Sequence, residues 1–148
     1  AIALTSSTGT SDVLSLTMGT GLLATEATDI TGLTANGFET INIATNAGPS
    51  ATAANKKTDI ASFTADKVTA INLTGTQVDI ANAATTLAVT IDGTALTGNG
   101  AATSLGLDVS GNLVAGSTVK GSAVVDAFAI LVIVNSIKIL LPPSPCTS

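Results

Sequence analysis

Thr69–Ala70–Ile71–Asn72–Leu73–Thr74–Gly75, Leu87–Ala88–Val89–Thr90–Ile91–Asp92–Gly93 and Leu105–Gly106–Leu107–Asp108–Val109–Ser110–Gly111 align without gaps, each 18 residues from the next. Apolar residues recur at Ile71/Val89/Leu107 and at Leu73/Ile91/Val109, with a polar residue between the two positions. This period of two marks a strand with one buried face. Gly75, Gly93 and Gly111 close the units, where a turn takes a backbone conformation that glycine adopts freely. A second apolar position follows three residues later, at Val78, Leu96 and Val114. Self-similarity at a fixed period is the signature of stacked repeats. The predicted fold is all-β: a right-handed parallel β-solenoid (β-helix) with rungs of about 18 residues. The six aliphatics are its core columns and the three glycines a shared corner. The hexapeptide rule of left-handed coils fits poorly, because Gln77 and Asp79 fall where apolar residues are needed.

Related strands occur at irregular spacing nearer the start. Asp12–Met18 alternates and is followed by Gly19; Phe38–Ala44 alternates too, and its Ile41–Asn42–Ile43 recurs as Ile71–Asn72–Leu73. Asp59–Phe63 is a further candidate. The stretch from Thr45 to Lys57, with Asn46–Ala47–Gly48–Pro49–Ser50, reads as a loop. Leu22–Thr28 has room for one helical turn at most.

Composition supports a narrow core. The 148 residues contain three aromatics (Phe38, Phe63, Phe128) and no Trp, Tyr, His or Arg, and 10% are charged. An ordinary globular chain has about 25% charged residues. With so few bulky side chains, Ile, Leu, Val, Ala and Thr must fill the interior at crystal-like density. A net charge of −5 without arginine excludes a nucleic-acid surface. The chain opens in mid-pattern at Ala1, which reads as a segment of a larger exported protein.

The domain reading is a β-solenoid over 1–129 with a loop at 45–57, then an atypical tail over 130–148. The tail is nearly all apolar through Val134, resumes at Ile137–Leu141 and ends in Pro142–Pro143–Ser144–Pro145. Its β-branched residues favour strand. Asn135, Ser136, Lys138 and Pro142 interrupt it too early for a membrane span of about 20 residues. It reads either as non-native sequence or as a cap on the stack.

A search for chemistry eliminates most of it. Without histidine there is no His-based triad, base or metal site. Cys146, in the Pro-rich tail, has no histidine to activate it. Lys56 and Lys57 read as a solvated loop tip. In the 18-residue alignment Asp92 falls with Thr74 and Ser110, and Asp108 with Asn72 and Thr90, so no two acids share a position in adjacent rungs. No catalytic dyad is expected, and the chain reads as no enzyme. Calcium is the one cofactor weighed. Gly121–Ala129 is a degenerate match to the calcium nonapeptide, with Asp126 as its ligand; Gly9–Leu14, with Asp12, is a fainter one. Thr8–Gly9–Thr10 and Thr74–Gly75–Thr76 suggest an ice-binding triplet but do not recur in every rung.

Thr8–Leu16 followed by Asn36–Ile43 resembles a recurring passage of bacterial surface-layer proteins of the RTX-related, type I-secreted kind. The resemblance covers Leu4 to Ala129. It implies a β-solenoid in a secreted lattice-forming or adhesive protein, calcium-dependent in assembly. The leading expectation is a structural segment at the cell surface whose partners are other copies of the parent protein and cell-surface polysaccharide. The alternatives are an adhesin segment binding a glycan or host surface through the 45–57 loop, and a fragment of a carbohydrate-active β-helix enzyme.

Overall fold

Aliphatic residues at every second position produce strands with one buried face. The computed structural model describes residues 2–3, 9–19, 28–46, 56–100, 105–132 and 138–140. Among these there are fourteen strands and no helix. In chain order they are β1 (Ile2–Ala3), β2 (Val13–Met18), β3 (Thr28–Ile30), β4 (Leu33–Asn36), β5 (Thr40–Thr45), β6 (Lys57–Ile60) and β7 (Phe63–Ala65). There follow β8 (Ala70–Gly75), β9 (Gln77–Thr85), β10 (Thr90–Leu96), β11 (Leu105–Leu113), β12 (Thr118–Lys120), β13 (Val125–Val132) and β14 (Lys138–Leu140).

The strands form two sheets in which every pairing is parallel. One runs β14-β12-β10-β8-β5-β2. The other runs β1-β4-β7-β9-β11-β13, with β6 pairing both β3 and β9. One core cluster joins them, with Ile41, Ile71 and Ile91 from the first sheet and Ile60, Ile80 and Val109 from the second. Like residues stack along each sheet. Leu14, Ile41, Ile71, Ile91 and Val119 form one column. Ile30, Ile60, Ile80, Val109 and Phe128 form its counterpart. Volumes compensate within columns: fully buried Phe63 pairs with Ala83, which pairs with Gly111.

The regular β-solenoid of 18-residue rungs is overturned, and its handedness and shared corner go with it. Ile71 pairs with Ile91, 20 residues on. Elsewhere in that sheet the steps are 27, 30 and 28 residues, and β12 to β14 repeats the step of 20, Thr118 pairing with Lys138. Val89 lies just before β10, and Leu107 is in the opposite sheet, paired with Val78. Likewise Leu73 pairs with Ile43, while Val109 sits across the core on Ile80. All six are buried, but the register puts only Ile71 and Ile91 in one column. The 18-residue alignment therefore superposed strands from two different sheets. The resemblance of Ile41–Asn42–Ile43 to Ile71–Asn72–Leu73, by contrast, is a real residue-by-residue pairing.

The three glycines serve three different purposes. Gly75 ends β8 at φ +104, and a Cβ there would lie 1.9 Å from the Thr45 carbonyl oxygen. Gly93 sits at an irregularity within β10, where a Cβ would meet Leu107 Cδ2 at 2.8 Å. Gly111, inside β11, passes against the Ala83 backbone. The proposed 129/130 division falls inside β13, and β14 pairs with β12, so these parts of the tail continue the two sheets. Residues 47–55 of the expected loop, most of Leu22–Thr28, Thr8 of one threonine triplet and the tail from 141, with Cys146, lie outside the described residues.

Gly75→Ala should lose at least about 2 kcal/mol, because both the positive φ and the contact with Thr45 oppose a methyl group. Gly32→Ala, where nothing lies within 4 Å of the added carbon, should change stability by no more than about 0.5 kcal/mol. Urea denaturation of the two variants checks both.

Candidate functional site

Thr28–Asp29–Ile30, Thr58–Asp59–Ile60, Val78–Asp79–Ile80 and Leu107–Asp108–Val109 each carry an aspartate at the centre, and in the last three both flanking residues are buried. Register then puts the acids side by side. Asp29 pairs with Asp59, Asp59 with Asp79, and Asp79 with Asp108. The result is a ladder of four carboxylates on the outer face of the second sheet, at the strand spacing of about 4.8 Å. The expectation that no two acids share a position is overturned, because the true partners are about 20 or 30 residues apart rather than 18.

Stacked like charges repel unless something holds them. Lys57 does so here. Its Nζ lies 2.9 Å from Asp59 Oδ2 and 3.4 Å from Asp79 Oδ2. It opens β6 and faces the ladder rather than standing on a solvated loop tip. Gln77 Nε2 donates to Asp79 Oδ1 at 2.7 Å, and Asn99 Nδ2 donates to Gln77 Oε1 at 2.8 Å.

Burial, reinforced by a bond to Asp59, pushes the Asp79 carboxyl up to about 6. Burial also opposes ionisation of Asp59, but bonds from Asp79 and Lys57 outweigh it and hold Asp59 below its ordinary value. Burial raises Asp108. Lys57 is raised because Asp59 and Asp79 outweigh its own burial. Below about pH 6 the ladder therefore holds a proton on Asp79 beside a charged Asp59 and a charged Lys57.

The first sheet carries a different outer column: Ser15, Asn42, Asn72, Asp92 and Lys120. Asn72 Nδ2 donates to Asn42 Oδ1 at 2.9 Å, and Asn42 Nδ2 donates to Ser15 Oγ at 3.3 Å. Lys120 Nζ lies 2.9 Å from Asp92 Oδ2. Bonds from Thr94 and then Lys120 lower the Asp92 pKa. Asp92 therefore stands with Asn72 and Lys120, and Asp108 with Asp79, not with the partners the 18-residue alignment assigned.

Of the two calcium candidates, the Asp126 carboxylate is bonded to the Leu107 and Ser122 amides and the Ser122 hydroxyl, whereas Asp12 is bonded through its main chain. Asp126 Oδ1 accepts from Leu107 N at 2.9 Å and Ser122 Oγ at 2.7 Å, and its Oδ2 accepts from Ser122 N at 2.8 Å. Asp12 receives the Glu39 and Thr40 amides on its carbonyl and donates its own N–H to Glu39 Oε2. Its buried Oδ2 has no partner and packs against Gly9, where a Cβ would come within 2.3 Å. No group of three or more His, Cys, Asp or Glu able to hold a metal ion occurs among the described residues. Calcium takes six to eight oxygens, and both oxygens of Asp126 are already taken by the contacts above. No helix among the described residues is long and apolar enough to cross a membrane. Comparison with family models, with curated proteins and with solved structures gave no match.

The raised Asp79 pKa sets a sign. Between about pH 4 and 6 the folded chain keeps a proton that the unfolded chain has released, so stability falls as pH rises through that window. Asp79→Asn removes this penalty. It should be more stable than the parent by about 1 kcal/mol above pH 6, allowing for partial exposure, and nearly equal at pH 4. Thermal melts across that range check it; a variant equally destabilised at both ends would contradict the ladder's electrostatics. Asp126→Ala should lose about 1–3 kcal/mol, because it leaves the buried Leu107 amide unpaired. Neither EDTA nor calcium should move the melting temperature of the parent.

Proposed function

We propose that this chain is a structural segment of an exported bacterial cell-surface protein of the surface-layer-like kind, and not an enzyme. The observation that carries the reading is how the polar side chains are used. The carboxylates of Asp59, Asp79, Asp92 and Asp126 bond to neighbouring strands, to Lys57 and Lys120, or to the backbone. The amides of Asn42 and Asn72 do the same. Polar groups spent on cross-strand contacts hold a shape; they are not poised for a substrate. The adjacent carboxylates stand along one ladder and bond to each other, where glycoside hydrolysis needs two acids flanking a scissile bond. The surface location rests on the resemblance of Thr8–Leu16 and Asn36–Ile43 to surface-layer passages. The partners that follow are other copies of the parent protein and cell-surface polysaccharide.

An antibody raised against the purified chain should label intact, unpermeabilised cells of its source. Labelling that requires permeabilisation would overturn the surface assignment. Turnover of a polysaccharide, lost in Asp79→Asn, would overturn the structural one.

A further inference from the structure

An asparagine followed by glycine occurs twice in the chain, at Asn36–Gly37 and at Asn99–Gly100. In such a step the side-chain amide carbon lies close to the next backbone nitrogen, and glycine has no Cβ to hinder a ring closing between them. Closure requires that nitrogen to lose its proton and the glycine to turn. The fold treats the two steps differently.

Gly37 is buried just beyond β4 and donates its N–H to Asp66 Oδ1 at 2.7 Å. A bond to a carboxylate is of the stronger kind and opposes loss of that proton. Asn36 is itself held in the sheet, paired with Ala3. Gly100 lies beyond the end of β10, exposed, at φ +85, and a Cβ built on it meets nothing within 4 Å. Asn99 Nδ2 donates to Gln77 Oε1 at 2.8 Å, so the side-chain amide is steadied on the chain that leads through Gln77 to Asp79 while the glycine beside it has room to turn.

We propose that Asn99 is a self-modification site, at which the Gly100 nitrogen converts the side-chain amide to an acid with water as the only co-reactant, and that Asp66 protects Asn36 from the same reaction. Hydroxide takes the proton of the Gly100 amide, and the nitrogen attacks Asn99 Cγ. The Cγ–Nδ2 bond breaks, and Nδ2 leaves as ammonia after taking a proton from water, which restores the hydroxide. Water then opens the cyclic imide at either carbonyl, its hydroxyl going to the carbon and its hydrogen to the ring nitrogen. The products are aspartate, or isoaspartate in which the main chain runs through Cγ. No oxidant or reductant is consumed.

The change reaches the aspartate ladder. Gln77 accepts from Asn99 and donates to Asp79. A carboxylate at position 99 only accepts, so the Gln77 amide must turn to offer it Nε2. Gln77 Oε1 then faces Asp79, which keeps the contact only in its protonated form. Lys57 and Asp59 act on that carboxyl from β6, and Asp108 from β11. Modification therefore favours the neutral state of Asp79 against the pull of Lys57.

Peptide mapping by mass spectrometry after incubation in mildly alkaline buffer reads both steps in one sample, with the same chain in urea as reference. In urea the two should convert at similar rates. In the folded chain Asn99 should stay within a few-fold of that rate, while Asn36 should slow by at least about tenfold, because the Gly37 amide must first give up its bond to Asp66. Asp66→Ala, with its strand content verified by circular dichroism, should bring conversion to Asn36 and leave Asn99 unchanged. Equal rates in the folded chain, or faster conversion at Asn36, overturn the proposal. So does a folded Asp66→Ala chain that still spares Asn36. The comparison of folded and urea-treated parent decides the matter alone where that variant does not fold. Asn99→Asp, which supplies the aspartate product, should lower the melting temperature more at neutral pH than in acid; an equal loss at both overturns the link to Asp79.

Discussion

Parallel register is the constraint on which the rest of this molecule depends. In a parallel ladder each residue lies beside its counterpart one strand away, at about 4.8 Å, and the pattern repeats without reversal. Whatever stands at one level must tolerate the same kind of residue directly above and below it. Isoleucine, leucine and valine tolerate this well, because their branched side chains nest on the pleat and exclude water together. Ile41, Ile71 and Ile91 form such a run, and Ile60, Ile80 and Val109 oppose it across the core. The amides of Asn42 and Asn72 gain from the same arrangement, since each offers a donor to one neighbour and an acceptor to the other.

The same rule penalises stacked carboxylates, and the molecule answers this locally. Asp59 and Asp79 take one ammonium between them, Gln77 holds the far oxygen of Asp79, and burial raises Asp79 to about 6, so that below that pH the ladder carries one charge fewer. Loops of changing length displace the partner in sequence without displacing it in space. A short local motif is therefore preserved where a long-range period is not.

This explains what could and could not be read from the sequence. Alternation is a property of six or seven consecutive residues, so the strands at Val13–Met18, Thr40–Thr45 and Ala70–Gly75 were legible from their own composition. The Ile41–Asn42–Ile43 and Ile71–Asn72–Leu73 match was legible as well, and it reports a true pairing. The 18-residue period was not a repeat of the structure. It linked Ile71 in one sheet to Leu107 in the other, because both sheets demand the same aliphatic-polar-aliphatic pattern and the sequence alone does not say which sheet a strand joins. The aspartate ladder escaped notice for the same reason. Its signal was present in the recurring tripeptides Thr28–Asp29–Ile30, Thr58–Asp59–Ile60, Val78–Asp79–Ile80 and Leu107–Asp108–Val109, but only a search that lets the spacing vary between about 20 and 30 residues collects them.

Composition follows from the same architecture. Parallel sheets are ordinarily covered by helices on both faces, which demands long apolar runs in their strands. Here each sheet is covered on one face by the other sheet and on its outer face by solvent, so alternation suffices and no helix is needed among the described residues. The space between two such sheets is thin, and small or branched aliphatics fill it; Phe63 fits because the next levels of its column are Ala83 and Gly111. Such a molecule grows only along the stacking direction. The backbone groups of its interior strands are paired on both sides, and the unpaired ones are concentrated at the two ends. The ends are therefore where a thin parallel stack must be guarded, covered or joined.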